Sequence, residues 1–418
     1  MLPLASSPAV PWPARARAGP AVCRSGWSAV AAATAGLGTA FTVSLVGEFP
    51  LGELVLFAAA GWAGVCAVLN QSSPGDLFHR RYLWWLLACQ GVALAAYMVA
   101  DFSWQSAPRD LARGWGRMIF LGIDLLALAY LFSRARRNFL WLLGGRLAGD
   151  VLAAILFGVL FGDVWKFGYG VPATFAVLGL ASLAGPLAVA VAALGMSALH
   201  FMLDFRSVGG LCLLVAMAAG LQLFPFPVRR WLLPLAAVAA LGLGMAFYAR
   251  ALAVGGEHRA TRSDVDRSAM IQAAVEAFRE SPFIGHGSWF SRSQVYDNFV
   301  QIREDKAKEA GVGGFVGPNE EPEDVALHSQ LLVALAEGGL FGGTFFLAYG
   351  AGLVWTLREL VLRRSWRRDS AVRVLLLLFA MWNLLMSPFS GAHRVYIALA
   401  AGLMLIVQAE RADPEAET

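Results

Sequence analysis

Apolar residues in this chain come in blocks of about 20, divided by short stretches that carry most of the arginines. An α-helix rises 1.5 Å per residue, so about 20 apolar residues cross a hydrocarbon core roughly 30 Å thick. Such windows fall at 28–47, 51–69, 82–100, 112–132, 139–160, 170–184, 186–203, 208–224 and 229–249, and then at 328–355, 371–388 and 392–409. They predict about twelve transmembrane helices. The stretch 170–203 contains no Asp, Glu, Lys or Arg and is divided at Gly185-Pro186, where a turn makes a hairpin of two short helices. Breaks at membrane depth are tolerated only where protein or a water-filled cavity shields the backbone.

A water-soluble helical core is excluded by composition. The chain is 58% hydrophobic and 15% charged, with a mean hydropathy of +0.60, whereas soluble domains carry about a quarter charged residues. The formal charge of +4 does not mark a nucleic-acid binder, because the basic residues cluster in short segments between apolar windows. Cys23, Cys66, Cys89 and Cys212 are scattered with no close pair, which points to small buried residues rather than a disulfide or metal site.

The arginines orient the set. Arg15, Arg17 and Arg24 precede the first window, Arg80 and Arg81 the third, and Arg134, Arg136 and Arg137 follow the fourth. Arg229 and Arg230 lie between the eighth and ninth, and Arg358, Arg363, Arg364, Arg367 and Arg368 between the tenth and eleventh. With twelve spans all five clusters fall on one side, which the positive-inside tendency makes cytoplasmic, with both termini inside. The expected organisation is a cytoplasmic tail at 1–27, helices over 28–249, a periplasmic loop at 250–326, further helices over 327–409 and a cytoplasmic tail at 410–418.

The loop differs from its surroundings. It holds nine Lys or Arg against thirteen Asp or Glu, a net −4, while the remainder of the chain carries 24 against 16. Apolar positions Ile271, Ala274, Val275 and Phe278 recur at helical spacing, which predicts a short amphipathic helix capped by Asp266 and ended at Ser281-Pro282. The glycines of PFIGHGSWF, 282–290, permit a tight turn and close backbone approach. The acidic stretch 304–324 reads as a mobile, solvated surface.

DRSAMIQAAVEAFRESPFIGHG, 266–287, followed by ALHSQLLVALAEGGLFGG, 326–343, and FRSVGG, 205–210, resemble the bacterial O-antigen ligase and O-antigen polymerase superfamily. The likeness rests on an arginine ahead of an amphipathic helix, a turn with Pro282, Gly285 and Gly287, and then His328 at the mouth of a helix carrying Glu337, Gly338 and Gly342. Two positions depart from the family pattern: Phe205 stands where serine usually precedes the arginine, and Ser329 where asparagine usually follows the histidine. The resemblance implies a membrane-embedded, inverting glycosyltransferase of the C type (GT-C-like), in the bacterial inner membrane with its site facing the periplasm. It implies an undecaprenyl-diphosphate-linked glycan as donor substrate, with no cofactor and no catalytic metal. The acceptor is lipid A–core in ligases and a second lipid-linked repeat unit in polymerases. Membrane lipids and other polysaccharide-assembly proteins are the remaining expected contacts, and nucleic acid is not among them.

The residues ask for compatible chemistry. Arg206, Arg267 and His328 all fall at the outer face under the twelve-span topology. A guanidinium engages two phosphate oxygens through a planar fork, so Arg206 and Arg267 suit a diphosphate and the charge that develops as its bond to the sugar breaks. His328 suits the role of base toward, or orienter of, an acceptor hydroxyl. Plainer readings stand beside these: Arg206 paired with Asp204, Arg267 with Asp264, Asp266 or Glu276, and His328 bonded to backbone. Arg109, Arg113 and Arg117 form either a basic path toward diphosphate or lipid-headgroup contacts. Glu337 reads as a supporting residue with a structural partner, because in a straight helix it is half a turn out of phase with His328. Arg146 and Asp150, four apart, suit a same-face pair. A transporter or flippase, its polar groups lining a path, is the competing class.

Overall fold

The computed structural model describes residues 25–44, 48–69, 76–158, 163–232, 257–288, 294–309, 329–363 and 366–412, with isolated positions between 234 and 242. The ninth window, 229–249, therefore lies mostly outside the described residues, as do Cys23 and His328. The protein is an all-α membrane protein. In chain order its elements are α1 (Ser25–Gly38), β1 (Thr42–Ser44), β2 (Glu48–Pro50), α2 (Gly52–Val68), a 3-10 turn (Asp76–His79), α3 (Arg81–Trp104), α4 (Pro108–Arg134) and α5 (Asn138–Phe157). A π-helical turn (Trp165–Tyr169) leads to α6 (Gly170–Leu183), α7 (Pro186–Met202) and α8 (Arg206–Leu221). The remaining helices are α9 (Glu257–Glu280), α10 (Gln294–Glu309), α11 (Gln330–Gly342), α12 (Thr344–Leu362), α13 (Ser370–Met386) and α14 (Gly391–Ala412).

Among the described residues, five helices are long and apolar enough to cross a membrane: α3, α4, α5, α12 and most of α14; α2, α7, α8, α11 and α13 are shorter apolar helices. Burial separates centre from rim. The apolar window of α14 is 83% buried and that of α4 67%, against 22% for α5. Thus α4 and α14 form the middle of the bundle, around Leu121, Leu125, Leu128, Phe132, Leu399 and Leu403. The exposed flank of α3 carries Trp84, Trp85, Val92, Val99 and Phe102. Such a face is stable in hydrocarbon and costly in water.

Helix ends follow local chemistry. Gln105 takes a left-handed conformation (φ 52°) and stops α3, and Pro108 opens α4. The expected division at Gly185-Pro186 is present: Gly185 has φ 103° and Pro186 begins α7. Three helix boundaries differ from the sequence reading, and residues 304–309 of the stretch expected to be mobile are helical, the end of α10. The first window is not one helix to residue 47, because α1 stops at Gly38 and β1 pairs antiparallel with β2, Val43 opposite Phe49. A Cβ on Gly52 would run into the Ala35 carbonyl, so the stop coincides with close packing of α2 against the end of α1. The amphipathic helix of the large loop begins at Glu257, which leaves Asp266 inside α9 rather than at its cap. The residues 257–266 contain no glycine or proline to interrupt it. The tenth window is broken, with Gly339 at φ 62°, ψ −160°.

The two ends of the bundle are distinct. At one end Glu410 of α14 accepts from Arg363 (2.7 Å) and Arg373 (2.8 Å) and pairs with Arg367 (3.1 Å). Gln222, just past α8, donates to the Val361 carbonyl and so belongs to this end. Arg206, which opens α8, falls at the other end. There Ser329 caps α11 and donates to the Leu384 carbonyl near the end of α13. The same end carries the α9–α10 pair, joined through Ala269, Ala273 and Phe299.

Candidate functional site

The turn after α9 docks on the break in α11, backbone to backbone. His286 N–H donates to the Ala336 carbonyl (2.9 Å), Gly287 N–H to that of Glu337 (2.9 Å), and Leu340 N–H to that of Pro282 (2.7 Å). Gly285 (φ 80°) and Gly287 (φ 83°) occupy left-handed backbone. A Cβ on Gly285 would meet the Glu337 carbonyl, so contact distance and conformation both demand glycine there. Gly339 supplies the matching concavity: its irregular backbone leaves the groups that a continuous helix would have used for itself, and the turn satisfies them.

Polar and aromatic side chains of α3 and α4 lock this turn in place. The Asp101 carboxylate accepts from Ser288 N–H, from the Ser288 hydroxyl (2.7 Å) and from Trp115 Nε1 (2.7 Å). Trp104 Nε1 donates to the Gly285 carbonyl (2.8 Å) and its ring stacks on His286, centroids 5.3 Å apart. His286 Nε2 in turn donates to the Ala277 carbonyl (2.9 Å), which ties the turn back to α9. Gly114 lets α4 approach, since a Cβ there would collide with the Ser288 hydroxyl.

Beneath the turn is a buried ion pair. Arg117 Nη2 donates to Glu337 Oε2 at 2.6 Å, with the side chains 8% and 3% exposed. The guanidinium also lies over the Phe389 ring, 5.3 Å from its centroid. Arg109, Arg113 and Arg117 recur every four residues on α4, and they pass from exposed through half-buried to buried. The three form a stripe that descends from the surface to the Glu337 carboxylate.

The other expected residues reach the same end by different elements. Arg206 donates to Asp204 Oδ1 (2.9 Å), the plainer partner considered from sequence. Its position is set by a rigid corner. Phe205 N–H donates to the His200 carbonyl (2.7 Å), and Asp204 adopts φ 54°. The His200 ring accepts at Nδ1 from Trp165 (3.1 Å) and therefore carries its hydrogen on Nε2, which donates to Thr174 (2.7 Å). Position 267 lies within α9, two turns before Ala274. Ala274 packs on Val333 and Ala277 on Ala336, so α9 and α11 run parallel in register. That register carries position 267 toward Ser329, the N-cap of α11. Arg146 and Asp150 pair at 2.8 Å as their spacing indicates.

Sequence reasoning missed Asp101, Trp104, Trp115 and Ser288. Their signal was faint: an acid with a tryptophan three residues on, at the edge of an apolar window, and a serine directly after Gly287. It also left Arg117 and Glu337 unpaired with each other, although both were singled out. No protein-family model matches the chain, and no curated protein matches it.

Proposed function

We propose a membrane-embedded enzyme acting on lipid-linked substrates and, more narrowly, an O-antigen ligase. The ligase transfers a glycan from undecaprenyl diphosphate to a sugar hydroxyl of lipid A–core at the periplasmic face of the inner membrane. The observation that carries this reading is the docking of the Pro282–Ser288 turn on the broken α11, above the Arg117–Glu337 pair. It supports a preorganised platform at the end of the bundle where Arg206, position 267 and the start of α11 are found. The motifs that resemble the ligase and polymerase superfamily are the same segments that make this platform.

In the mechanism that follows, Arg206 and Arg267 hold the diphosphate and stabilise its charge as the anomeric carbon–oxygen bond breaks. His328 takes or orients the proton of the acceptor hydroxyl, which attacks the anomeric carbon with inversion. Arg109 and Arg113 lead anionic groups toward the site, and Glu337 holds Arg117 in place. Ser329, which replaces the family's usual asparagine, has a structural use as the cap of α11.

The test offers purified full-length protein a defined lipid-linked glycan in chelator, with and without lipid A–core. Glycan on lipid A–core alone, reduced about 10²–10⁴-fold by His328→Ala with insertion intact, is the expected result. Chains lengthening on the carrier without lipid A–core would make the protein a polymerase. Movement of the lipid across proteoliposomes with no new glycosidic bond would make it a transporter.

A further inference from the structure

A second buried charge cluster joins three helices away from the turn. Arg394 of α14 forms a two-pronged pair with Glu53 of α2, Nε to Oε1 at 3.0 Å and Nη2 to Oε2 at 2.8 Å. Both side chains are buried, Glu53 completely. Phe120 of α4 lies under the Arg394 guanidinium, 5.4 Å from ring centroid to Cζ. One helical turn further along the same face of α4 is Asp124, which is 0% exposed and within Coulombic reach of both Glu53 and Arg394. Neither Asp124 carboxylate oxygen has a hydrogen-bond partner.

The charges do not balance as ionised groups: two carboxylates face one guanidinium. An ionised carboxylate in a bundle interior, without a donor on either oxygen, is far costlier than the neutral acid. Glu53 is the one that Arg394 grips with two hydrogen bonds, so the deficit falls on Asp124. Polar groups on the helices packed against α4 have partners of their own. Gln90 of α3 donates to the Met118 carbonyl, His393 bonds Ser390 through Nδ1 (2.7 Å), and Arg146 and Asp150 of α5 pair with each other beside Tyr396. Phe49, Phe57 and Phe120 form a three-ring cluster, centroids 5.2 to 5.9 Å apart, on the approach from the end that carries α9.

The geometry points to a proton-binding site buried in the membrane, in which Asp124 holds a proton while Arg394 balances Glu53. The site ties α2 and α14, far apart in sequence, to the central helix α4, and it is neutral as a whole only with the proton bound. The aromatic cluster shields it from the platform at that end, so it is separate from the proposed transfer chemistry and stands whichever reaction the platform performs.

Infrared difference spectra of the full-length protein in detergent at neutral pH test it directly. Wild type should show the carbonyl band of a protonated carboxylic acid that lacks hydrogen bonds. Asp124→Asn should remove that band, and Asp124→Glu, which keeps the acid if the first variant does not fold, should move it. In Glu53→Gln the proton should leave, because Asp124 becomes the partner of Arg394. The band should then vanish with a smaller drop in melting temperature than in Glu53→Gln/Asp124→Asn. Sodium chloride and choline chloride should give the same melting temperature. The proposal is overturned by a wild-type spectrum with no such band, by a band that neither Asp124 variant alters, or by a sodium-dependent rise in melting temperature that Asp124→Asn abolishes.

Discussion

Arg117 and Glu337 are separated by 220 positions in the chain and by 2.6 Å in space. Removing one partner breaks a buried, charge-assisted hydrogen bond, which costs more than the pair itself contributes. Glu337→Ala is therefore expected to destabilise the protein by about 3–5 kcal/mol, while Arg117→Met/Glu337→Leu should recover most of that loss. Denaturation of both variants in detergent checks it, and a double variant no more stable than Glu337→Ala would show that the pair is not what holds the break. At this scale the glycines were legible. Gly285 and Gly287 follow a proline in a short run whose only use is a close turn, and both adopt positive φ. The pairing of Arg117 with Glu337 was not legible, because a charge in an apolar window announces that it needs a partner but not which one. Glu53, Asp124 and Arg394 escaped notice for the same reason, each being a single charge within or beside an apolar run.

Helices α9 and α11 meet through small residues, Ala277 at 2% exposure and Ala336 at 0%. That contact is what holds the docked turn and position 267 in register with the start of α11. Ala277→Leu inserts three carbons where none fit, at a cost of about 1–3 kcal/mol. Its expected signature is local: proteolysis within 257–309 should accelerate well before the remaining helices melt. Uniform loss of all helical signal in one transition would show that α9 is not an independently detachable layer. Apolar periodicity found the middle of α9 and Ser281-Pro282 found its end. The start was missed because Glu257–Asp266 has no apolar stripe, and helix continues there without a pattern to reveal it. The break at Gly339 was missed for a different reason. A Gly-Gly pair in an apolar window is compatible with an unbroken helix, and only the arriving turn makes the kinked form the better one.

The bundle has a basic end, where Arg363, Arg367 and Arg373 converge on Glu410, and an end that carries α9 and α10. The proposed orientation places the first in the cytoplasm and the second in the periplasm. In a cysteine-free background, a cysteine at Lys308 should react with an impermeant maleimide in intact spheroplasts, and one at Arg368 only after permeabilisation. Both positions are exposed. The reverse pattern would invert the bundle and remove the platform from lipid A–core. Sequence alone determined that this chain lives in a membrane as helices, where most of those helices begin and end, and which glycines make the turn. Those properties follow from length, hydropathy and backbone sterics, all of which are local. Tertiary structure alone decided which charges share a partner, where the tenth window breaks, and that some arginines read as orientation signals also latch α12, α13 and α14 together. These depend on which helices become neighbours, and in an apolar interior each buried charge has few partners within reach.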